Sequence, residues 1–368
     1  MFKKVHYILI SMLVFAVSCK EPYNPEIDTN ISGIVINGLI TDEPGPYTVN
    51  LSRPVSFNGI QSVPVQNANV YVTDENNNTF YFYETLPGVY KSDPQNFITA
   101  YYSQYTLHVF TKDGHNYRST PEVLYPKGSI DSVHSVVMNK SMTVYQNGLG
   151  ERVKDINGVQ FVCNNSDSSE SPYFRYSNML VVEYDKQTIY YKDTLIYNHH
   201  CWIKNIPYQY LNLSDISSKQ QLLGFAPLDS NYYGIHFEPI DSIPRGSGAK
   251  VIVIGSISRQ IMLFAITFKQ YHVNKDVYNY YKDVNTQMEA SEKFLDPVNI
   301  QCYGNLVGIS NPDEHVMGVF EVSSVSLKSY FYHKDMNGVD LQPLQSFDAN
   351  LIENDNCILQ KYPNFWIY

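Results

Sequence analysis

Two groups of neighbouring residues carry side chains that could bind a metal ion. His199-His200-Cys201 offers soft ligands, but adjacent side chains on a strand point to opposite faces, so at most two of them could reach one metal. Asp313-Glu314-His315 follows a turn signal at Asn311-Pro312 and could offer carboxylates to calcium, which takes about 6–8 oxygen ligands. No alternating acidic loop surrounds this group, so we predict a solvated turn there and no metal site.

The sequence motifs of the common enzyme classes are absent. Gly-x-Ser-x-Gly, His-Glu-x-x-His, the Walker phosphate loop and the Gly-x-Gly-x-x-Gly fingerprint do not occur. Asp335 and Asp340 flank Asn337-Gly338, which is typical of a hairpin turn. Trp202 and Trp366 could stack on a sugar ring, but packing inside or between domains explains them better. We therefore expect a protein that is not an enzyme and has no cofactor.

Residues 1–18 resemble a secretory signal peptide. Lys3 and Lys4 supply positive charge, and the apolar stretch from Val5 to Val17 is shorter than the ~20 apolar residues of a membrane-spanning helix. The following pattern, Ala16-Val17-Ser18-Cys19, resembles a lipobox, in which small residues precede a lipid-accepting cysteine. We predict a lipid anchor with palmitate-type chains on Cys19 and a tether over residues 19–31. The alternative is an ordinary signal peptide followed by an incidental cysteine.

Four cysteines remain after Cys19, namely Cys163, Cys201, Cys302 and Cys357. An exported protein can oxidise them, and four cysteines allow three pairings. Buried thiols and a metal site are the alternatives, although structural zinc is disfavoured because no Cys-x-x-Cys spacing occurs. We predict a disulfide between Cys163 and Cys201, which are the nearest in sequence within one β-rich domain.

The charge and the tyrosine content limit the classes of partner. Removing residues 1–18 takes away Lys3 and Lys4 and no acid, so 24 Lys and Arg remain against 36 Asp and Glu, a net charge of −12. An acidic chain without a basic run argues against nucleic acid and against docking on anionic lipid head groups. Tyrosine makes up 32 of 368 residues. Most fit half-buried sheet faces, and a minority could line a binding surface for sugars or peptides.

Short strands dominate the predicted architecture. About 350 mature residues suggest two domains. Seven or so short strands about 8–12 residues apart predict an immunoglobulin- or transthyretin-like β-sandwich at residues 32–127, beginning with a hairpin at 33–52. We expect residues 128–368 to form a second β-rich domain. It contains one long helix at 275–291, where Val277, Tyr280, Tyr281, Val284 and Met288 form an apolar stripe.

Several short segments occur in a characteristic order along the mature chain. They are Cys19 followed by acids and Pro, Val35 to Ser52, Ala68-Asn69-Val70, Gly88-Val89-Tyr90, Cys201-Trp202, Lys269-Gln270-Tyr271, Asn311 to Glu314, and Pro363-Asn364-Phe365-Trp366. This ordered set resembles the Bacteroidetes outer-membrane lipoproteins known as domain of unknown function 4249. Similar members often carry paired cysteines near the C-terminus, whereas Cys357 stands alone here, so a local C-terminal disulfide is not expected.

The resemblance implies a location and a partner but no reaction. Members look like companions of TonB-dependent outer-membrane receptors, and no enzymatic activity is attached to the family. The leading hypothesis is a non-catalytic, lipid-anchored protein of the outer membrane, exposed at the cell surface, that assists such a transporter in nutrient capture. A stand-alone binding or adhesin-like lipoprotein is the main alternative, and a hydrolase with an unrecognised site is the third.

Overall fold

The computed structural model describes residues 33–54, 62–146, 150–164, 172–190, 195–205, 212–214, 220–228, 252–253, 261–291, 302–333 and 336–339. The signal peptide, Cys19 and the tether lie outside the described residues, as do Asp335, Asp340, Cys357 and Trp366. In several strands, including the one that carries Cys201 and Trp202, the backbone is described but the side chains are not.

The predicted fold class is confirmed, because the chain is mostly β. The strands are β1 (Gly33–Thr41), β2 (Thr48–Arg53), β3 (Val63–Pro64), β4 (Asn69–Asp74), β5 (Thr79–Leu86), β6 (Val89–Ser92), β7 (Gln104–Phe110), β8 (Asn116–Ser119), β9 (Glu122–Val123), β10 (Ser132–Gln146), β11 (Gly150–Asn164), β12 (Phe174–Tyr190), β13 (Leu195–Asn205), β14 (Asn212–Ser214), β15 (Gln220–Pro227), β16 (Ile252–Val253), β17 (Ile261–His272), β18 (Leu306–Gly308), β19 (His315–His333) and β20 (Met336–Val339). In the described part of the chain one helix, α1, spans Lys275–Ser291, as predicted.

Strands β1 to β9 curl around a single apolar core. The predicted hairpin is present, with β1 antiparallel to β2 from Val35 opposite Ser52 to Leu39 opposite Thr48. Side chains alternate along the strands, so that Val70 and Val72 of β4 and every second residue of β7 are buried while their neighbours are not. This alternation is typical of a sheet with one face on a core. The inward side chains include Ile36, Val49, Val72, Leu107, Val109 and Phe320.

Two strands from the C-terminal half complete this first sheet. β19 runs parallel to β1 over nine residue pairs, from Gly33 opposite His315 to Thr41 opposite Ser323. β18 lies antiparallel to β8. Gly318 has φ +94°, and a Cβ atom there would lie 2.2 Å from the carbonyl oxygen of Ile36, so only glycine fits this close approach. The predicted boundary near residue 127 is therefore crossed by strand pairing, and the division into domains stays a prediction.

The other described strands form two further sheets that pack against each other. β10, β11 and β15 make a three-stranded antiparallel sheet. It packs on β12, β17 and β19 through a core that includes Val133, Phe161, Cys163, Leu180 and Phe268. Because β19 is 19 residues long, it pairs with β1 near its start and with β17 further along. β19 therefore joins the first sheet to the sheet of β12 and β17, which we call the second sheet.

Helix α1 begins at the junction between the two sheets. The backbone carbonyl of Asn274 accepts the amide hydrogen bond of Tyr278 at 3.0 Å, as expected for a cap residue. Its side-chain amide instead donates to the carbonyls of Val123 and Val322. Only the first half of the predicted apolar stripe is buried, since Val277 is fully buried while Met288 is 44% exposed. Within the described residues, no helix has both the length and the apolar character needed to cross a membrane.

Candidate functional site

The cysteines predicted to pair lie on different sheets. Cys163 is buried on β11, opposite Val133. The backbone of Cys201 lies on β13, opposite Tyr184 of β12, and its side chain lies outside the description. The disulfide between them stays a prediction, and the same holds for the lipid on Cys19.

The acidic turn at residues 313–315 is only partly solvated. Asp313 and His315 are exposed, but the Glu314 side chain is 6% exposed. Its carboxylate accepts hydrogen bonds from Tyr117 Oη at 2.8 Å and pairs with His115 Nδ1 at 2.9 Å. Burial and this carboxylate raise the pKa of the Tyr117 hydroxyl. Glu314 thus fastens its turn to β8, and the prediction of a solvated turn missed this residue.

No group of three or more His, Cys, Asp or Glu side chains suited to a metal ion occurs among the described residues. The side chains of His199, His200 and Trp202 belong to the part of β13 described by its backbone alone. Asn337 and Gly338 lie on β20, and the hairpin closes between His333 and Met336 instead of at these two residues.

A buried ion pair lies where the first and second sheets meet, between β12 and β19. Arg175 of β12 donates to both oxygens of Glu321 on β19, from Nε at 3.1 Å and from Nη2 at 2.8 Å. Their side chains are 10% and 2% exposed. Burial alone would lower the pKa of Arg175, but the Glu321 carboxylate raises it. The two-point geometry fixes the guanidinium rigidly and keeps it charged.

Helix α1 completes the surroundings of this ion pair. Tyr281 Oη donates to Glu321 Oε2 at 2.9 Å, and Ser323 Oγ donates to Oε1 at 2.8 Å. The Arg175 guanidinium lies 3.9 Å from the centre of the Tyr271 ring, which is a cation–π contact. Burial, followed by the Glu321 charge, raises the pKa of the Tyr281 hydroxyl. These contacts tie α1 to β12 and β19 through Glu321.

Glu122 is a second buried acid at the same junction. It is 2% exposed, and its Oε1 accepts hydrogen bonds from Asn305 at 2.7 Å and Thr120 at 3.1 Å. Its Oε2 is buried without a hydrogen-bond partner in the described structure. The pKa of this carboxyl is raised to about 7, mainly by burial. The charges of Asp276 and Glu321 act in the same direction, and the hydrogen bonds from Asn305 and Thr120 oppose them. Glu122 is therefore able to hold a proton near neutral pH.

A cleft of about 290 Å³ adjoins Glu122 and the start of α1. Its lining includes Glu122, Tyr125, Tyr173, Lys275 and Asp276. Two carboxylates beside a cleft are the arrangement that acid–base catalysis needs. Here, however, one oxygen of Glu122 is taken by Asn305 and Thr120 and the other is buried. A molecule in the cleft would meet Asp276 and Lys275 first, because both are exposed.

The outer face of the first sheet carries a cluster of aromatic side chains that we call the aromatic ridge. It consists of Tyr71 on β4, Tyr81 and Tyr83 on β5, and His108 and Phe110 on β7. Tyr71 lies directly opposite both Tyr81 and His108 in the strand register. Tyr81 is 51% exposed and Tyr83 is 64% exposed. Large exposed aromatic surface on one sheet face is a feature that interaction sites often have.

The ring geometry of the ridge limits what it can bind. The Tyr71 ring stacks on His108 with centroids 4.8 Å apart and an angle of 15°, and Tyr81 lies 5.8 Å away on its other side. Phe110 also stacks beside Tyr71 at 5.9 Å. Because neighbours cover the faces of the Tyr71 ring, this ring is not free for flat stacking on a sugar. The exposed rings of the ridge are therefore those of Tyr81 and Tyr83.

Two basic residues lie beside the ridge, and its centre is neutral. His108 lies opposite Arg118, which lies opposite Val307 of β18, and Tyr83 lies opposite Lys91. Burial, with a smaller effect of Arg118, lowers the pKa of His108, so its imidazole is uncharged at neutral pH. An uncharged aromatic centre with charged residues at its border resembles the composition of many protein-binding surfaces.

Sequence reasoning could have found part of these features. Glu321 interrupts the apolar run from Val319 to Val322, and a lone acid in such a run signals a buried, paired charge. The aromatic residues of β4, β5 and β7 were visible as a Tyr-rich pattern, but their meeting on one face depends on the strand register. Glu122 gave no local signal, because its burial arises from α1 and β19, which are distant in sequence.

Comparison with known proteins gives one match. The family model described as "Domain of unknown function (DUF4249)" matches residues 20–329. No curated protein and no solved structure matches the chain.

Proposed function

The chain belongs to the DUF4249 family, and from this premise we propose that it is a non-catalytic lipoprotein of the outer membrane, held at the cell surface by a lipid on Cys19. In this proposal it acts as an accessory of a TonB-dependent transporter and helps to capture or present a nutrient. The lipobox-like sequence before Cys19 supports the anchor. The resemblance described from the sequence supports the choice of partner.

The aromatic ridge carries the proposal. Interfaces gain most of their binding free energy from a few large side chains, among which Tyr is enriched. Tyr81 and Tyr83 are exposed, and the stacked contacts of Tyr71 hold the centre of the ridge rigid. Little side-chain entropy is then lost on binding. We propose that the ridge contacts the outer loops of the receptor.

The tether gives this body the reach that the role requires. Residues 19–31 span at most ~3.5 Å each when extended, so the first sheet can lie a few tens of Å from the membrane surface. Its first described strand, β1, starts at Gly33, directly after the tether. In sequence, the sheet that carries the ridge therefore follows the anchor and tether directly.

Co-purification from membranes tests the proposal. Full-length tagged protein, extracted in mild detergent, should bring a TonB-dependent receptor with it, and the complex should survive moderate salt because aromatic contacts are not screened. Replacing Tyr81 and Tyr83 together by Ser should reduce the recovered receptor by about tenfold or more. Tyr102→Ser is the matched control, since Tyr102 is 65% exposed but lies in a turn away from the ridge.

Each rival function predicts a different outcome. A stand-alone binding or adhesin-like lipoprotein would run alone in detergent, and deletion of a neighbouring receptor would leave its abundance and location unchanged. A hydrolase would turn over common glycoside, peptide or ester substrates and lose that activity on a single change such as Asp276→Asn in the cleft. Either result would replace the accessory role.

A further inference from the structure

The aromatic ridge is part of a line of side chains that crosses five strands of the first sheet, which we call the cross-strand row. In the strand register, Tyr81 of β5 lies opposite Tyr71 of β4, and Tyr71 lies opposite His108 of β7. His108 lies opposite Arg118 of β8, and Arg118 lies opposite Val307 of β18. Opposite residues share a face, and neighbouring strands are about 4.8 Å apart, so the row is about 19 Å long. Both of its ends are exposed, with Tyr81 and Val307 at 51% each.

On the described strands around the row, this face of the sheet has no acidic side chain. It includes every second residue of 69–73 on β4, 79–83 on β5, 104–110 on β7 and 116–118 on β8. None of these is Asp or Glu, although the chain contains 36 acids. The charged side chains of this face are basic, namely Arg118 and also Lys91 of β6, which lies opposite Tyr83, and both are exposed. In a chain of net charge −10, this face is therefore a basic area.

Within the described structure, Arg118 forms no ion pair. Two acids that lie beside β8 have other partners, because Asp113 in the turn before it pairs with Arg53 and Glu314 accepts a hydrogen bond from Tyr117 at 2.8 Å. A guanidinium can donate two parallel hydrogen bonds to one carboxylate, and Arg is enriched at the energetic centres of protein interfaces. The guanidinium of Arg118 is thus available to an acid that another molecule supplies.

We propose that the partner of the ridge is a protein segment that places an Asp or Glu carboxylate on the guanidinium of Arg118, with apolar side chains beside that acid packed on Tyr81 and Val307. This inference rests on the proposed function, since it takes the ridge as the docking surface, and it adds the chemistry of the partner. A phosphate or an acidic saccharide would use Arg118 but would leave the apolar groups at both ends of the row in water. A protein segment covers them as well.

Carbodiimide coupling in membranes tests this contact, because the reagent joins a lysine amine to a carboxylate that touches it. Arg118→Lys keeps the positive charge and supplies that amine. In membranes that contain the full-length chain, the introduced amine should become linked to an Asp or Glu of another protein, identified by mass spectrometry. Arg152→Lys is the matched control, since Arg152 is exposed on β11 of the three-stranded sheet. We expect about tenfold more adduct from Arg118→Lys than from Arg152→Lys.

Charge reversal gives a second readout on the same partner. Arg118→Glu changes an exposed residue, so the fold should stay intact by circular dichroism. Recovery of the partner in mild detergent should fall by about tenfold or more, because like charges then meet at the interface.

The outcomes separate this inference from the proposed function. An adduct with a TonB-dependent receptor supports both, whereas an adduct with an acid of a different protein supports the role of Arg118 and rules out the receptor as the partner. Three results would overturn the inference. They are no adduct above the control, a link to a phosphate, a saccharide or a second copy of this chain, and unchanged recovery of the partner with Arg118→Glu.

Discussion

Arg175 and Glu321 are oppositely charged side chains buried at the meeting point of both sheets and the helix. Removing each of these two charges from water costs several kcal/mol, and the opposite charge beside it offsets that cost. The hydroxyls of Tyr281 and Ser323 complete the carboxylate's hydrogen bonds. The pair thus makes the relative position of β12, β19 and α1 sensitive to a single substitution.

We predict that Arg175→Met lowers the free energy of unfolding by about 3–5 kcal/mol, because it leaves the Glu321 carboxylate buried without its counter-charge. Combining it with Glu321→Leu should recover much of that loss. Arg53→Met is the control, since the Arg53–Asp113 pair is exposed and such pairs contribute about 1 kcal/mol or less. Urea unfolding monitored by circular dichroism measures all three, and equal losses for Arg175→Met and Arg53→Met would contradict the account.

Glu122 should make stability depend on pH. Its folded pKa of about 7 exceeds the ordinary value of 4.5, so the folded state holds the proton more tightly than the unfolded state. Both states are protonated well below pH 4.5, and stability then falls as pH rises from 4.5 to 7. At ~1.4 kcal/mol per pH unit, the loss amounts to about 3 kcal/mol.

In the variant Glu122→Gln, the free energy of unfolding should not show this decrease with rising pH. Between pH 5 and pH 8 the unaltered chain should lose about 2–3 kcal/mol more of its free energy of unfolding than Glu122→Gln does. The cost of the buried amide is the same at both pH values and cancels in this comparison. Asp313→Asn, in an exposed turn, should retain the original pH dependence. An unchanged slope in Glu122→Gln would mean that Glu122 is ionised throughout the range.

Among the elements, α1 shows how far local sequence determines structure. Its ends at Lys275 and Ser291 follow from the cap residue Asn274 and the apolar periodicity, and both were predicted. Which residues of the apolar stripe are buried was not predicted, because this depends on how far along the helix its contact with the sheets extends. Val277 packs against Val273 and Val319, whereas Met288 extends beyond them.

The difference in burial between Val277 and Met288 can be tested by substitutions within this one helix. Val277→Ala should lower the free energy of unfolding by on the order of 2 kcal/mol, since it removes buried methyl groups and leaves a cavity. Met288→Ala should change it by less than about 0.5 kcal/mol. A comparable cost for both substitutions, measured by urea unfolding, would show that the far half of α1 is also buried.

The strands show the same division between local and long-range information. The hairpin of β1 and β2 was predictable, because the alternation and the Pro-Gly turn are local signals. The parallel pairing of β1 with β19 joins residues 282 positions apart, such as Gly33 and His315, and leaves no local signal. The aromatic ridge has the same origin, since the composition predicted a Tyr-rich face while only the register of β4, β5 and β7 shows which residues share it.

For the molecule as a whole, the anchor is the first property to test. Cys19→Ala should release the protein from the membrane fraction and abolish metabolic labelling with palmitate, because the acyl chains supply the membrane affinity. Cys302→Ala is the matched control and should stay membrane-bound and labelled. Labelling that persists in Cys19→Ala would show that another residue accepts the lipid.

The proposed complex combines the anchor, the tether and the ridge. The anchor keeps the body near its partner, which raises the effective concentration of the ridge at the receptor. In this proposal the ridge then supplies the contacts with the receptor.

Photo-crosslinking in living cells tests the receptor contact most directly. A photoreactive amino acid at position 83, where Tyr83 is 64% exposed on the ridge, should form an adduct that contains peptides of a TonB-dependent receptor. The same group at position 286, on the exposed side of α1, should not. An adduct without receptor peptides at position 83, or receptor adducts at position 286 alone, would contradict the role of the ridge as the receptor-binding surface.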